Sequence, residues 1–174
     1  MKGQGLIHVY TGDGKGKTSA ALGLALRASG HGMKVHIIQF MKGRIDYGEI
    51  KACHNNPNIT IEQFGRPQFV DRDSPEPEDL DFAKQGLERA KEVLASGEYH
   101  IVILDEINVA LDFNLIELDD VLEIIKKKPA ELELILTGRN AHPEVAKVAN
   151  YVTEMLPIKH PYDQGQPGRK GIEF

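Results

Sequence analysis

Short, nearly unbroken apolar runs alternate along this chain with stretches whose apolar residues recur every three or four positions. The runs Leu6–Tyr10, Val35–Phe40, Ile59–Phe64, Ile101–Leu104, Leu132–Thr137 and Val152–Ile158 read as strands. Most are rich in β-branched residues and lack the apolar–polar alternation of a half-exposed strand. They predict strands covered on both faces, as in a parallel sheet between helices. Leu80, Ala83, Leu87, Ala90 and Leu94 lie on one face of a helix over Asp79–Ser96, with Gly97 placed to stop it. Leu118, Val121, Leu122 and Ile125 repeat the pattern up to the Lys126-Lys127-Lys128-Pro129 run. That run reads as a solvated helix C-terminus favoured by its dipole. Pro143-Glu144 opens another short helix. Strands separated by helices imply parallel crossovers, hence an α/β fold with a mostly parallel sheet of about six strands.

Two segments break the rhythm. Gly65–Glu78 is too rich in proline and charge for regular structure, yet contains the apolar pair Phe69-Val70. A loop of that length in a compact domain is either functional or disordered, and the Phe69-Val70 pair among charges favours function. The tail Lys159–Phe174, with Gly165, Gly168 and Gly171, reads either as a loose end or as a segment folded over a site.

The first strand runs into Thr11-Gly12-Asp13-Gly14-Lys15-Gly16-Lys17-Thr18, followed by the small-residue helix that starts at Ser19. Strand, glycine loop and helix form the context of a phosphate-binding loop. Gly12, Gly14 and Gly16 let backbone N–H groups turn inward, and the helix N-terminus adds its positive end. Asp13, Lys15, Lys17, Thr18 and Ser19 then surround the phosphates: Lys17 as a point charge, Thr18 as a hydroxyl ligand for a divalent cation. The usual spacing places a glycine where Thr11 stands, so this loop is a variant. Asp105-Glu106 ends the strand beginning at Ile101, at the sheet edge where ligands of open α/β sheets bind. Beside a phosphate loop these carboxylates are suited to Mg²⁺, with Mn²⁺ as an alternative.

Cations follow three other strands at the same edge: Lys42 and Arg44, Arg66, and Arg139. Their recurrence points to polyphosphate contact for Lys42 and Arg139. Arg27 reads as structural, and His8 and His36 as core residues of their strands. No metal-ligand spacing joins the remaining histidines, and Ser19 has no nucleophile's partners.

With 174 residues, 41% of them hydrophobic, residues 1–174 read as one domain. Twenty-one Lys and Arg against 26 Asp and Glu give a net charge of −5. That balance disfavours a nucleic-acid or anionic-membrane binder. Cys53 is the one cysteine, which excludes an intrachain disulfide and suits the reducing cytoplasm. The start, Met1-Lys2-Gly3-Gln4-Gly5, carries no secretory signal pattern, and no apolar run is long enough for a membrane span.

In its ordered motifs the chain resembles the P-loop ATP:cob(I)alamin (corrinoid) adenosyltransferases, typified by cob(I)yrinic acid a,c-diamide adenosyltransferase. The resemblance rests on the loop Thr11–Thr18, Gln39-Phe40-Met41-Lys42-Gly43, Leu104-Asp105-Glu106 and Thr137-Gly138-Arg139-Asn140-Ala141-His142-Pro143. It continues through Val152-Thr153-Glu154-Met155, Lys159-His160-Pro161-Tyr162-Asp163 and Lys170-Gly171-Ile172-Glu173-Phe174. It implies a RecA-like P-loop NTPase fold, a homodimer, and an electron-donating protein as a partner. The implied reaction moves the 5′-deoxyadenosyl group of ATP to Co(I) of a reduced corrinoid in adenosylcobalamin biosynthesis or salvage, releasing triphosphate. ATP would lie reversed in the loop relative to ordinary NTPases. Thr18, Glu106 and Asp105 would serve the metal, and Lys17 and Phe69 the chemistry. Some relatives have a Trp in the corrinoid loop, whereas this chain has none and reads Gln68-Phe69-Val70-Asp71.

Co(I) needs no protein base to attack C5′, which matches the absence of an acid–base dyad. Orientation can supply ~7–11 kcal/mol of the barrier in such a reaction. An apolar wedge such as Phe69 would ease reduction of Co(II) by displacing its axial ligand. The rival reading is a P-loop ATPase or regulatory nucleotide-binding protein, with a small-molecule kinase as a second. The absent Asn-Lys-x-Asp signature disfavours GTP.

Overall fold

The computed structural model describes residues 3–44 and 46–173. Met1 and Lys2 of the N-terminal reading and Phe174 of the closing motif lie outside them. The elements in chain order are β1 (Ile7–Thr11), α1 (Lys17–Ser29), β2 (Val35–Phe40), α2 (Gly48–His54), β3 (Ile59–Phe64) and α3 (Pro77–Ser96). They continue with β4 (Ile101–Asp105), α4 (Ile107–Asp112), α5 (Leu118–Lys127), β5 (Glu133–Thr137), α6 (Pro143–Val148), β6 (Tyr151–Glu154) and a 3₁₀ turn, Pro161–Gln164. Among the described residues no helix is long and apolar enough to cross a membrane.

The described strands form one six-stranded sheet in the order β3-β2-β4-β5-β1-β6, with every neighbouring pair parallel. This is an α/β sheet of the P-loop NTPase-like kind. The phosphate-loop strand β1 and the acid-bearing strand β4 are separated by β5 alone, so their C-terminal ends open on the same edge.

Side chains alternate across each strand and divide the core in two. Ile38, Phe40, Val102, Leu104, Leu134 and Leu136 pack beneath α3, α4, α5 and α6. Val35, Ile37, Ile101, Ile103 and Ile135 pack beneath α1 and α2, where Ala21, Ala25 and Ala28 let α1 approach closely. β2, β4 and nearly all of β5 are buried throughout, which explains their unbroken apolar runs. In α3, Pro77 opens the helix, Glu76 and Asp79 form a reciprocal cap, and Gly97 closes it in the left-handed conformation (φ 69°).

The sixth predicted strand requires correction. β6 ends at Glu154, not Ile158, and all four of its residues are exposed. Beyond Glu154 the chain leaves the ladder: Met155 N–H donates to Thr11 O, and Met155 O accepts from Gly14 N–H at 2.7 Å. Val152, Leu156 and Ile158 are therefore surface residues at 49%, 63% and 93% exposure. His8 also differs from its expected core role. Its ring is partly exposed, pairs with Glu133 and lies against Tyr151. His36 is buried as expected, hydrogen-bonded to Thr60.

Candidate active site

Met155 accounts for the loop's glycines. A Cβ on Gly12 or Gly14 would fall 2.5 or 2.6 Å from Met155 O, where no side chain fits. The stretch after β6 thus braces the loop from outside. Lys17, at the first turn of α1, is buried, and its ammonium donates to Gly12 O at 2.7 Å and Gly14 O at 2.8 Å. Burial holds its pKa below the ordinary lysine value, against the attraction of Glu106.

At the end of β4, Asp105 is fully buried and saturated with donors. Its Oδ1 accepts from Thr18 at 2.9 Å and Thr137 at 2.7 Å. Its Oδ2 accepts from Gln39 at 3.0 Å and Lys42 at 2.7 Å. Burial alone would raise the carboxyl's pKa, but Lys42 and these hydrogen bonds outweigh it and hold Asp105 below its usual range. Lys42 answers in kind: burial opposes its charge, and the Asp105 and Glu106 carboxylates more than restore it. Sequence reasoning gave Gln39 no role. The signal was a carboxamide inside the otherwise apolar core of β2, where an unpaired amide would cost ~1–3 kcal/mol. Gln63 on β3 completes the relay by donating to Gln39 Oε1 at 3.0 Å.

Glu106 is the opposite case. It sits in the left-handed region (φ 64°), held by its own N–H donating to Thr137 Oγ1 at 3.0 Å. Its carboxylate accepts no hydrogen bond from the described residues, and burial and the neighbouring Asp105 raise its pKa. Met41 after β2 and Asn140 after β5 are also non-glycine residues at positive φ (58° and 54°). Such conformations cost ~1–3 kcal/mol each and cluster where function over-determines the backbone. Here three of the four such residues among the described ones stand at exits of strands on one edge, Asn114 after α4 being the fourth.

Two cavities meet at this edge. One, of about 330 Å³, is lined by Asp13, Gly14, Lys15, Gly16, Lys17, Thr18 and Ser19, with Glu106, Arg139, His160, Ile172 and Glu173 opposite. The other, of about 440 Å³, combines Lys17, Lys42, Arg44, Arg66, Glu106 and Arg139 with Met41, Tyr47, Phe69, Val70, Val109 and Phe113. Lys17, Glu106 and Arg139 belong to both. The structure therefore gathers Asp13–Ser19, Lys42, Phe69, Glu106 and Arg139 around one continuous cleft. Gly12 and Asp105 lie behind it, acting through Lys17, Thr18 and Lys42.

The other strand-exit cations divide. Arg66 is engaged by Asp79 through two contacts of 2.7 Å at the start of α3. Arg44 pairs with Asp46 at 2.8 Å. Arg139 is exposed, with Asp13 at 3.6 Å. The Gly65–Glu78 loop is anchored behind Phe69 by Arg72, which pairs with Asp112 at 3.0 Å and lies over the Phe113 ring. Phe69 itself is fully exposed at the mouth of the larger cavity. The tail, whose two readings were open, folds over the phosphate loop: Lys15 donates to Ile172 O at 3.0 Å and to Glu173 at 2.8 Å.

Among the described residues no three His, Cys, Asp or Glu side chains come together to hold a metal ion. The donor set at hand is the Thr18 hydroxyl and the unbonded Glu106 carboxylate, backed by Asp105. Hard oxygen donors, one of them a half-buried carboxylate that accepts no hydrogen bond from the described residues, fit a divalent cation that shares its shell with phosphate.

The family model described as ATP:corrinoid adenosyltransferase BtuR/CobO/CobP matches residues 3–174. A corrinoid adenosyltransferase of Pseudomonas aeruginosa is 37% identical over 171 residues, covering 98% of this chain and 84% of that protein. Proteins of the same name from Sinorhizobium and Escherichia coli are 36% and 33% identical, each across 98% of this chain and covering 81% and 86% of their own lengths.

Proposed function

The chain belongs to the ATP:corrinoid adenosyltransferase family, and from that premise we propose how its cleft performs the transfer of the 5′-deoxyadenosyl group from ATP to a reduced corrinoid. The observation that carries the reading is the junction of two unlike cavities at Lys17, Glu106 and Arg139. The smaller, lined by backbone N–H groups and cations, suits a triphosphate. The larger, with Met41, Val70, Val109 and Phe113 in its lining, suits a broad apolar macrocycle.

In this arrangement the ribose C5′ lies at the junction. The Co(I) electron pair forms the Co–C5′ bond while the C5′–O bond breaks, and its electrons leave with the triphosphate. No protein base is needed. The protein fixes the line of attack and stabilises the departing charge through Lys17, the loop N–H groups, Lys42 and Arg139. Mg²⁺ held by Thr18 and Glu106 would supply further neutralisation of the triphosphate. Asp105, saturated by four donors, orients Thr18 and Lys42 instead of coordinating directly. Phe69 presses on the lower corrinoid face, where an apolar side chain cannot coordinate cobalt; the Co(II) left without that ligand accepts an electron more readily from a reductant protein. The open edge of β6, with Tyr151 and Val152 exposed, is the surface we assign to a second copy of the chain in a homodimer.

The test is incubation with ATP, Mg²⁺ and chemically reduced cobalamin. A light-sensitive cobalt–carbon product with one triphosphate per turnover is expected. ADP and phosphate without a corrinoid product would overturn the reading in favour of an ATPase; ADP with a phosphorylated acceptor would favour a kinase.

A further inference from the structure

The phosphate cavity has two ends with different owners. Its inner end, at Lys17, Glu106 and Arg139, is shared with the larger cavity. Its outer end is made by Lys15 and by tail residues, His160, Ile172 and Glu173, none of which lines the larger cavity. Glu173 fixes Lys15 there through a 2.8 Å ion pair, while Arg169 pairs with the same carboxylate at 3.0 Å. These contacts hold the Glu173 carboxyl down at about 2, so it is charged whenever the enzyme works.

His160 is oriented by the backbone. Its Nδ1 accepts the Tyr162 N–H at 3.2 Å, capping the 3₁₀ turn. A ring that accepts at Nδ1 carries its proton on Nε2 when neutral, which leaves that N–H as a donor for the cavity His160 lines. With C5′ at the junction and the triphosphate lying along the smaller cavity, its terminal group is the one nearest this end.

We propose that His160 and Lys15 read the terminal phosphate, so that the folded tail makes the enzyme selective for a nucleoside triphosphate over the diphosphate. This rests on the proposed placement of C5′ at the junction. A diphosphate held in the same register stops one phosphate short of His160 and leaves Lys15 with Glu173.

Two substitutions separate recognition from folding of the tail. In His160→Asn the side-chain oxygen still accepts the Tyr162 N–H, but nothing extends to the position of Nε2. In His160→Gln an amide N–H replaces the Nε2 donor and the cap is lost. ATP and ADP affinities are measured by calorimetry with Mg²⁺ and no corrinoid. His160→Asn should lose about tenfold for ATP, the share of one charge-assisted hydrogen bond, and less than about twofold for ADP. His160→Gln should recover most of the ATP preference. Equal losses for both nucleotides, an unchanged ratio, or a larger loss of preference in His160→Gln than in His160→Asn would each overturn the proposal. Selectivity that depends on His160 in an enzyme that makes no cobalt–carbon product would instead remove the proposed reaction and leave this site standing.

Discussion

Asp105→Asn is the sharpest perturbation of the buried network. The amide can be rehoused: its oxygen can serve Lys42 and Gln39, and its NH₂ can face the Thr18 and Thr137 hydroxyls, which rotate to accept. Gln39 cannot turn to help, because its own oxygen is engaged by Gln63. What the variant cannot restore is the charge. The Lys42 side chain is only 19% exposed and would lose its 2.7 Å counterion. Removing one partner of a buried pair costs ~3–5 kcal/mol; partial exposure of Lys42 and nearby Glu106 place this case near the lower figure, about 3 kcal/mol. For a chain of this size that corresponds to a fall in Tm of about 6–12 °C. Thermal and urea unfolding at neutral pH measure it, and Lys42→Met in the Asp105→Asn background should recover more than half, since it removes the stranded ammonium. A loss under about 1 kcal/mol, or a double mutant in which the two losses simply add, would refute the assignment of the pair as the network's anchor. The pH dependence has a definite sign. Asp105 is held below its unfolded pKa of about 3.9, so its contribution is complete above that value and disappears as pH falls through the folded pKa. The gap between wild type and Asp105→Asn should therefore narrow only in strong acid.

Other consequences are separable. Lys17→Ala should keep the fold and lower transfer by ~10²–10³-fold, the effect of one preorganised charge contact; a near-normal rate would remove the phosphate-loop argument. Glu106→Gln should melt higher than wild type at neutral pH while losing divalent-cation affinity. Because the folded pKa of Glu106 is raised, ionisation costs stability as pH rises above about 4.5, so the advantage should vanish below that pH. Phe69→Ala should impair transfer strongly with a weak biological reductant and little with chemically generated Co(I); equal loss under both regimes would assign Phe69 to ordinary packing or binding.

The sheet was legible because burial on both faces leaves continuous apolar runs, and β2 and β3 begin and end where the pattern placed them. The phosphate loop and the acid pair were legible because each couples a residue pattern to a strand end. The runs misled at β6, where apolar residues line an exposed edge. α2 and α4 were missed because seven- and six-residue helices carry too few turns for a periodic signal. The division of labour between Asp105 and Glu106 was beyond sequence too. Adjacent carboxylates look alike in the chain, and only Lys42, Gln39 and the two threonines reaching one of them set them apart. The same holds for Arg66, whose claim by Asp79 depends on where α3 starts.

The order of strands has a consequence for how the enzyme is made. β1 carries the phosphate loop, yet its two neighbours are β5 and β6, so no partner for it exists until residues 133–137 have been synthesised, and its second arrives only with residues 151–154. During translation the loop-bearing segment must wait beside a growing β3-β2-β4 half-sheet that it cannot join. Closure of the sheet is consequently a late, long-range event of the kind that slows folding and exposes strand edges meanwhile. The brace that Met155 gives the phosphate loop cannot form before β6 is in place. Premature termination before residue 133 would leave the β3-β2-β4 half-sheet with an unpaired β4 edge for chaperones or proteases to recognise, not a weak enzyme.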